Sequence, residues 1–344
     1  MKPPALTYRD AGVDLDAADR FVAFVRKHAK LTYGNAVVDS GDAYAGLVRP
    51  PLSGLADPLL AATCDGVGTK LLVARDCQDY SGIGQDLVAM NVNDLLPRGA
   101  RPLFFLDYIA AGRLDSVPLA DIASGIIAAC QQSGCALLGG ETAELPDAYR
   151  EGDCDLAGFA VGIVDAPHVP KADISDGDLL YAFPSSGIHA NGLSLARRIV
   201  ADAGLSYQDT PSELPHSLAK ELLIPTRLYV QDVLSLHKQV RVKAAAHVTG
   251  GGLLLRAHKL CPPGLRLSID PDSYVRPAIF SLLARLGGVS WEEMAKTFNM
   301  GIGFLLVMGP SDAETLSQVS CGDLRPVGKI VRGERGVDLG YARS

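Results

Sequence analysis

The feature that most constrains the fold is a regular alternation of short apolar runs with segments of helical periodicity. The runs LLAATCDG, PLFFLDYIA and CALLGGE are separated by residues 84 to 96 and 116 to 134, where apolar residues recur at helical spacing. Such alternation is typical of layered proteins in which helices cover a sheet. The sequence therefore predicts a mixed fold of the α/β (α+β) class.

One break in this alternation divides the chain into two predicted domains. Residues 165 to 178, DAPHVPKADISDGD, contain two prolines and several acidic residues, which is typical of a linker. A chain of 344 residues also exceeds one ordinary hydrophobic core. We expect two layered domains, at residues 1–167 and 168–344, the second of which contributes to a substrate and phosphate site.

Periodicity also predicts individual helices. The first is expected at residues 16 to 30, one long helix at 218 to 238, and others near 274 to 287 and 311 to 319. Residues 34 to 58 are rich in glycine, proline and small polar residues. They are expected to form a loop with room for one short strand.

Composition narrows the classes of function and the compartment. The formal net charge of −7 disfavours a general nucleic-acid binder. The seven cysteines form no C-x-x-C pair, and the amino terminus lacks the apolar segment of a signal peptide, so we expect a reducing compartment, the cytoplasm. No run approaches 18 apolar residues, so no membrane partner is expected.

The first candidate site is the stretch CDGVGTK at a predicted strand end. Asp65 closes the strand, and Gly66 and Gly68 would let the backbone approach a ligand closely. Thr69 and Lys70 could then meet a phosphate. The spacing is not that of a Walker A loop. A turn with a surface lysine remains the alternative interpretation.

The second candidate site lies on the helix that contains NVNDLL. Asn91 and Asp94 are three residues apart, so they share one face of this mostly apolar helix, and we expect Asn91 to contact the phosphates of ATP. A carboxylate on a buried helix needs a partner, and Mg²⁺ is one. The alternative is an Asn and Asp pair that caps a neighbouring loop.

The third candidate site is GGETAELPDAY, where Gly139 and Gly140 precede Glu141. Together with Asp65 and Asp94, Glu141 would supply a third carboxylate from a third element end. Three carboxylates could hold a Mg²⁺ ion that bridges the phosphates of ATP. The alternative is a solvated turn.

The fourth candidate site is split between PSSGIHANG and HVTGGG. Hydroxyl groups, glycines and a histidine precede helices there, and helix N-termini and glycine-rich turns bind phosphate. A lone histidine in such a place is also a common structural residue. The candidate substrate-binding residues are Ser185, Ser186, Gly187, His189, Asn191, Thr249, Gly250 and Gly251.

Taken in order, these stretches resemble the aminoimidazole ribonucleotide synthetase family, also called phosphoribosylformylglycinamidine cyclo-ligases. The resemblance covers nearly the whole chain and includes TYRDAGVDLDA, DGVGTKL, VAMNVNDLL, SGCALLGGETAELP, DLAGFAVG, SSGIHANGLSL and FNMGIGF. DGVGTK is shared loosely by a wider ATP-binding superfamily. The combination of LFFLDY with GGETAE points to the cyclo-ligase branch.

The resemblance implies an ATP-dependent ring closure of formylglycinamidine ribonucleotide, with Mg²⁺, in purine biosynthesis. It implies a homodimer whose amino-terminal sheets pair into a barrel, and catalytic roles for Lys70, Asp94 and His189. One stretch departs from the family pattern: YGNAVVDSGDAYAGLVRPP has fewer glycines and an inserted DAYA. No site residue is assigned there.

Three alternatives remain at this stage. Two are other ATP-using members of the same superfamily, similar to thiamine monophosphate kinase or to selenophosphate synthetase. The latter carries a reactive cysteine near its start, whereas no cysteine precedes Cys64 here. The third is a nucleotide-binding partner protein without activity.

Overall fold

Two sheets with covering helices make up the computed structural model, which describes residues 7–8, 11–38, 45–317 and 322–340. The elements of the first half are α1 (Leu15–Ala29), β1 (Val37–Val38), β2 (Leu47–Val48), β3 (Pro58–Gly66), α2 (Lys70–Cys77), α3 (Ile83–Leu95), β4 (Arg101–Ala111), α4 (Leu119–Ser133), β5 (Ala136–Glu144) and β6 (Cys154–Asp165).

The first half is built on a four-stranded sheet with the order β3-β6-β4-β5. Strand β6 is antiparallel to both neighbours, and β4 is parallel to β5. Helices α3 and α4 pack on one face of this sheet and bury Phe105 and Ile109. The opposite face, which we call the outer face, exposes Leu60, Tyr108 and Phe159. The edge strands β3 and β5 thus flank an apolar surface.

The second half holds a six-stranded sheet with the order β12-β9-β11-β7-β10-β8. Its pairs are antiparallel except β12 with β9. Strand β10 is buried along its whole length, as its sequence IGFLLVM requires. The elements are β7 (Leu179–Pro184), α5 (Leu193–Asp202), α6 (Leu218–Leu223), α7 (Val230–His237), β8 (Val242–His247), α8 (Gly252–Leu260), β9 (Leu265–Ile269), α9 (Ala278–Gly287), α10 (Trp291–Thr297), β10 (Ile302–Met308), α11 (Pro310–Ser317), β11 (Arg325–Arg332) and β12 (Gly336–Asp338).

The prediction of one long helix at residues 218 to 238 is wrong. Helix α6 ends at Leu223 and α7 begins at Val230. Pro225 explains the break, because proline lacks a donor and forces the residue before it into an extended conformation; Ile224 has φ −51° and ψ 124°. Likewise α9 begins after Pro277, so its predicted start near residue 274 was too early. The mixed α/β architecture itself is confirmed.

The two halves meet where the segment 224–229, between α6 and α7, lies against α3. Asn93 on α3 donates to the Arg227 carbonyl at 2.9 Å and accepts from the Tyr229 N–H at 3.0 Å. Gln85 donates to the Thr226 carbonyl at 2.9 Å. Helix α3 therefore carries groups that face both halves. Over the described parts of the chain, no helix is long and apolar enough to cross a membrane.

Candidate active site

Asn91 fixes the end of β3 and thereby the position of Asp65. Its side-chain oxygen accepts from the Asp65 N–H at 2.9 Å, and its nitrogen donates to the carbonyls of Asp65 at 3.1 Å and Leu87 at 2.9 Å. Asn91 is fully buried, and these bonds use both of its amide hydrogens. We expected Asn91 to bind a phosphate; its contacts instead make it a residue that positions Asp65.

Asp94 lies close enough to Asp65 for its charge to act on that carboxyl. Burial is the main reason that the pKa of Asp65 is raised, and the negative charge of Asp94 adds to it. The hydrogen bond from the Gly66 N–H and the charges of the nearby His247 and Arg256 act to lower the pKa of Asp65. Two partly buried carboxylates that crowd each other favour a bound cation.

His247, at the end of β8, joins this pair from the second half of the chain. Its Nδ1 lies 2.8 Å from Asp94 Oδ1, and its Nε2 lies 3.4 Å from the side-chain nitrogen of Asn93. Since Asn93 can only donate there, the Nδ1 of a neutral His247 carries the proton toward Asp94. The sequence offered one signal, the position of His247 directly before the run VTGGG, and we did not select it.

The side chain of Lys70 forms a buried ion pair with Asp86. Its ammonium is fully buried and lies 2.8 Å from Asp86, and it donates to the Ile224 carbonyl at 2.7 Å. Asp86 also accepts from the N–H and hydroxyl of Thr226. Burial lowers the pKa of Lys70, and Asp86 opposes that shift. The expectation that Lys70 meets a phosphate is not fulfilled by these contacts, because a buried ion pair would have to break first.

The two parts of the fourth candidate site do lie together. A side chain at Gly250 would come within 3.9 Å of the Asn191 amide. Glycine is required at Gly252, which has φ +62° and where a side chain would overlap the Ala295 carbonyl. Arg256 donates from Nε to the Gly250 carbonyl at 2.9 Å. Thr249, just before the glycines, is buried.

His189 sits in an unusual backbone conformation beside these residues. It has φ +63°, and its Nε2 accepts from the Ser186 N–H at 3.2 Å. Burial is the main cause that holds the pKa of His189 well below its usual range, so the ring is neutral and its Nδ1 carries the proton. Within the described structure, that Nδ1, the Ser185 hydroxyl and the Asn191 side-chain oxygen are buried without hydrogen-bond partners.

Further hydrogen bonds and side-chain contacts connect the first candidate site with the fourth. The hydroxyl groups of Thr69 and Ser194 lie 3.0 Å apart. The Ser186 hydroxyl donates to the Pro225 carbonyl at 2.6 Å, and Gly187 lies against Ile224, the residue whose carbonyl binds Lys70. The candidate site is therefore one continuous region between the two halves.

Glu141 lies apart from that region. Strands β6 and β4 separate its strand from β3, a span of about 14 Å at the usual strand spacing. Asp65 aligns through Gly158 and Asp107 with Gly140, so Glu141 points to the opposite face. Among residues that the structure describes, no three His, Cys, Asp or Glu side chains are arranged to hold a metal. The expected three-carboxylate site does not form within one chain.

A cavity of about 680 Å³ instead surrounds the edge of β5 beside Glu141. Asp107 lies in its wall, and burial raises the pKa of that carboxyl to about 7. Gly140 leaves room for Asp107, because a side chain at Gly140 would overlap the carboxylate. At Gly139 the nearest atom, on Leu106, would be 3.7 Å away. Gly140 therefore has a steric reason to be glycine, and Gly139 has none.

Comparison with known proteins accounts for both halves of this arrangement. The model of the AIR synthase related protein N-terminal domain matches residues 45–164, and that of the C-terminal domain matches residues 175–338. The chain belongs to the AIR synthase-related family. The division between the two family models falls between β6 and β7, where the two sheets also separate.

Curated members of the family resemble this chain over nearly its full length. It is 44% identical to the phosphoribosylformylglycinamidine cyclo-ligase of Myxococcus xanthus over 333 residues, which are 95% of this chain and 96% of that protein. It is 42% identical to the protein of the same name from Thermodesulfovibrio yellowstonii, over 90% and 91% of the two chains.

Solved structures show the same fold at low sequence identity. The thiamine-monophosphate kinase of Stenotrophomonas maltophilia has a TM-score of 0.64 at 19% identity and covers 95% of this chain and 96% of its own. The hydrogenase maturation protein HypE, solved in complex with ATP, has a TM-score of 0.62 at 18% identity, with 93% and 90% coverage. These likenesses establish the AIR synthase-related fold alone.

Proposed function

We propose that the protein closes the imidazole ring of formylglycinamidine ribonucleotide in an ATP-dependent reaction that yields aminoimidazole ribonucleotide, ADP and phosphate. The observation that carries this proposal is the 42–44% identity to two proteins named phosphoribosylformylglycinamidine cyclo-ligase, over at least 90% of each chain. The polar region between the two halves supports it, because it joins carboxylates, histidines and glycine-rich turns.

The reaction defines what the protein has to supply. The formyl amide oxygen is a poor leaving group until ATP phosphorylates it. The amidine nitrogen then attacks the carbon, and the oxygen departs with the phosphate. This chemistry needs groups that hold phosphates and neutralise their charge more than it needs a strong protein nucleophile.

Asp65 and Asp94 are the residues that would hold Mg²⁺ together with the ATP phosphates. They supply the hard oxygen ligands that Mg²⁺ prefers, and their mutual crowding would be relieved by a cation. When bound, Mg²⁺ neutralises charge on the phosphates. Gly66, Gly68 and Thr69 follow directly, and we place the phosphates along this turn.

We propose that His247 positions Asp94 and does not itself exchange a proton with the substrate. Its Nδ1 lies 2.8 Å from Asp94, and its Nε2 faces the Asn93 amide nitrogen at 3.4 Å, so neither ring nitrogen is open to the substrate. His189 has a different role, because burial keeps it neutral. We propose that its Nδ1–H, with Ser185 and Asn191, pairs with polar groups of the substrate, since these atoms lack partners in the described structure. Ser186, Gly187, Thr249, Gly250 and Gly251 would complete the substrate pocket through their backbone.

The outer face supports a homodimer. Leu60, Tyr108 and Phe159 are exposed on it, and the flanking strands β3 and β5 each have one strand neighbour in the described sheet. Covering this face with a second copy would bury the apolar side chains and pair the free edges. We propose that Gly139, Gly140 and Glu141, on β5, contribute to the nucleotide site at this interface.

We also place the protein in the cytoplasm. The six described cysteines are all free, which suits a reducing compartment.

The test is to mix the purified protein with formylglycinamidine ribonucleotide, ATP and Mg²⁺. Aminoimidazole ribonucleotide should form in step with ADP and phosphate. ATP hydrolysis that ignores the ribonucleotide would contradict the proposal. ATP binding without turnover, under conditions in which the ribonucleotide also binds, would favour a non-catalytic partner protein.

A further inference from the structure

A second cavity, of about 450 Å³, opens beside the Asp94 and His247 pair. Its walls come from the turn after α3, from the edge strand β8 and from α8. Arg98, Arg256 and Lys259 line it, and we call it the basic cavity. Along β8, small side chains at residues 244 to 246 line it between Lys243 and His247 and keep the space open.

Among the described residues, no carboxylate forms a salt bridge with Arg98, Arg256 or Lys259, although Arg256 lies near enough to Asp65 for its charge to oppose the rise in the pKa of that carboxyl. Lys243, which lines the same cavity, is by contrast neutralised by Asp178 at 2.7 Å. In the lining, three cations without a salt bridge stand against the single carboxylate of Asp94, so the cavity carries a net positive charge that favours an anion.

The basic side chains line the same cavity as Asp94 and His247 of the candidate active site. The bond from Arg256 Nε to the Gly250 carbonyl holds the guanidinium plane while its terminal nitrogens stay available. Lys259 follows three residues later on α8, so it shares the same helix face. An anion held here would lie in the same cavity as Asp94 and His247, which both line its wall.

We propose that the basic cavity binds the phosphate monoester of the ribonucleotide substrate. This inference rests on the proposed function, because it assigns the phosphate of that substrate a place distinct from the phosphates of ATP. A monoester dianion needs several cationic donors, and the cavity offers three. Anchored there, the ribose would extend toward His247 and the region of Asp65. The ATP phosphates would stay on the turn after β3.

The kinetic test uses Arg98→Gln, Lys259→Gln and the double variant. The KM for the ribonucleotide should rise about tenfold for each charge removed, as expected for the loss of a charge-assisted hydrogen bond. The kcat and the KM for ATP should stay within about twofold, because only ground-state binding of one substrate is weakened. Lys220→Gln is the matched control, since Lys220 is exposed on α6 and does not line the cavity.

A binding test separates this inference from the proposed function. Ribose 5-phosphate, added without ATP, should raise the melting temperature of the wild type and of Lys220→Gln, and this effect should be absent in the double variant. That result supports the phosphate site even if ring closure is not detected. A rise in the KM for ATP alone, or unchanged ribonucleotide KM together with an undiminished ribose 5-phosphate effect in the double variant, would overturn it.

Discussion

At the scale of single residues, the site depends on Asp65, a carboxyl group whose charge is costly where it lies. Asp65 is shifted toward its neutral form mainly by burial and then by Asp94. Asp94 also stabilises His247 through their 2.8 Å contact. Removing the charge of Asp94 should therefore have opposite effects on activity and on the unliganded fold.

The first prediction concerns Asp94→Asn. Turnover should fall by about a hundredfold or more, because the change removes an anionic ligand of Mg²⁺ and the partner of His247. The melting temperature without ligand should stay the same or rise, since a like charge beside Asp65 is gone. Glu334→Gln, on an exposed turn, is the control. Normal turnover with an unchanged Mg²⁺ requirement would remove Asp94 from the site.

The second prediction concerns pH and Asp107. Its pKa is about 7 in the folded protein and 3.8 as the reference value, so the folded state binds more protons between those pH values. The contribution of Asp107 to the free energy of unfolding must therefore fall as pH rises from about 4 to about 7. Urea denaturation of the wild type and Asp107→Asn at several pH values measures it. The difference between the two proteins should shift in favour of the variant as pH rises; a constant difference would contradict the assignment.

At the scale of elements, prolines and long-range contacts limit what the sequence predicts. The local sequence pattern was sufficient to predict helix α3, which carries both Asn91 and Asp94 as expected. The helix predicted across Pro225 was wrong because the apolar spacing continues through a residue that cannot be helical there. His247 was missed because its partner Asp94 is 153 residues away in sequence, and Asp86 because its partner Thr226 is 140 residues away.

The third prediction tests the role of Lys70 in fixing the segment between α6 and α7. Lys70→Met should lower the free energy of unfolding by about 3–5 kcal/mol, because Asp86 would be left as a buried charge without its cation. Chemical denaturation measures this, with Lys220→Met as the exposed control. If Lys70 were instead a phosphate ligand, stability would hardly change and the KM for ATP would rise. The two outcomes separate the structural role from the one that the sequence suggested.

At the scale of the whole molecule, one face of the first sheet carries exposed apolar side chains. The sequence predicted two layered domains, and the three strand runs that it identified form β3, β4 and β5 of the first sheet. It could not show that Asp65 and Glu141 lie on opposite faces, because that depends on strand order and register rather than on the ends of elements. Among the described residues, Leu60, Tyr108 and Phe159 are exposed on the outer face, which is the physical reason to expect a second copy.

The fourth prediction tests that expectation with Leu60→Asp. Leu60 is 69% exposed in the single chain, so the change should hardly alter the fold of the protomer. In a dimer whose interface covers the outer face, the Leu60→Asp substitution would bury a charge without a partner, which costs several kcal/mol. Sedimentation experiments should therefore show a shift from dimers to monomers. Turnover should fall together with the amount of dimer if β5 completes the nucleotide site at the interface.

Val275→Asp is the matched control, because Val275 is 87% exposed in the second half of the chain. If Leu60→Asp sediments as the wild type does, the outer face is not the contact between subunits; if it is monomeric and fully active, the site is complete within one chain.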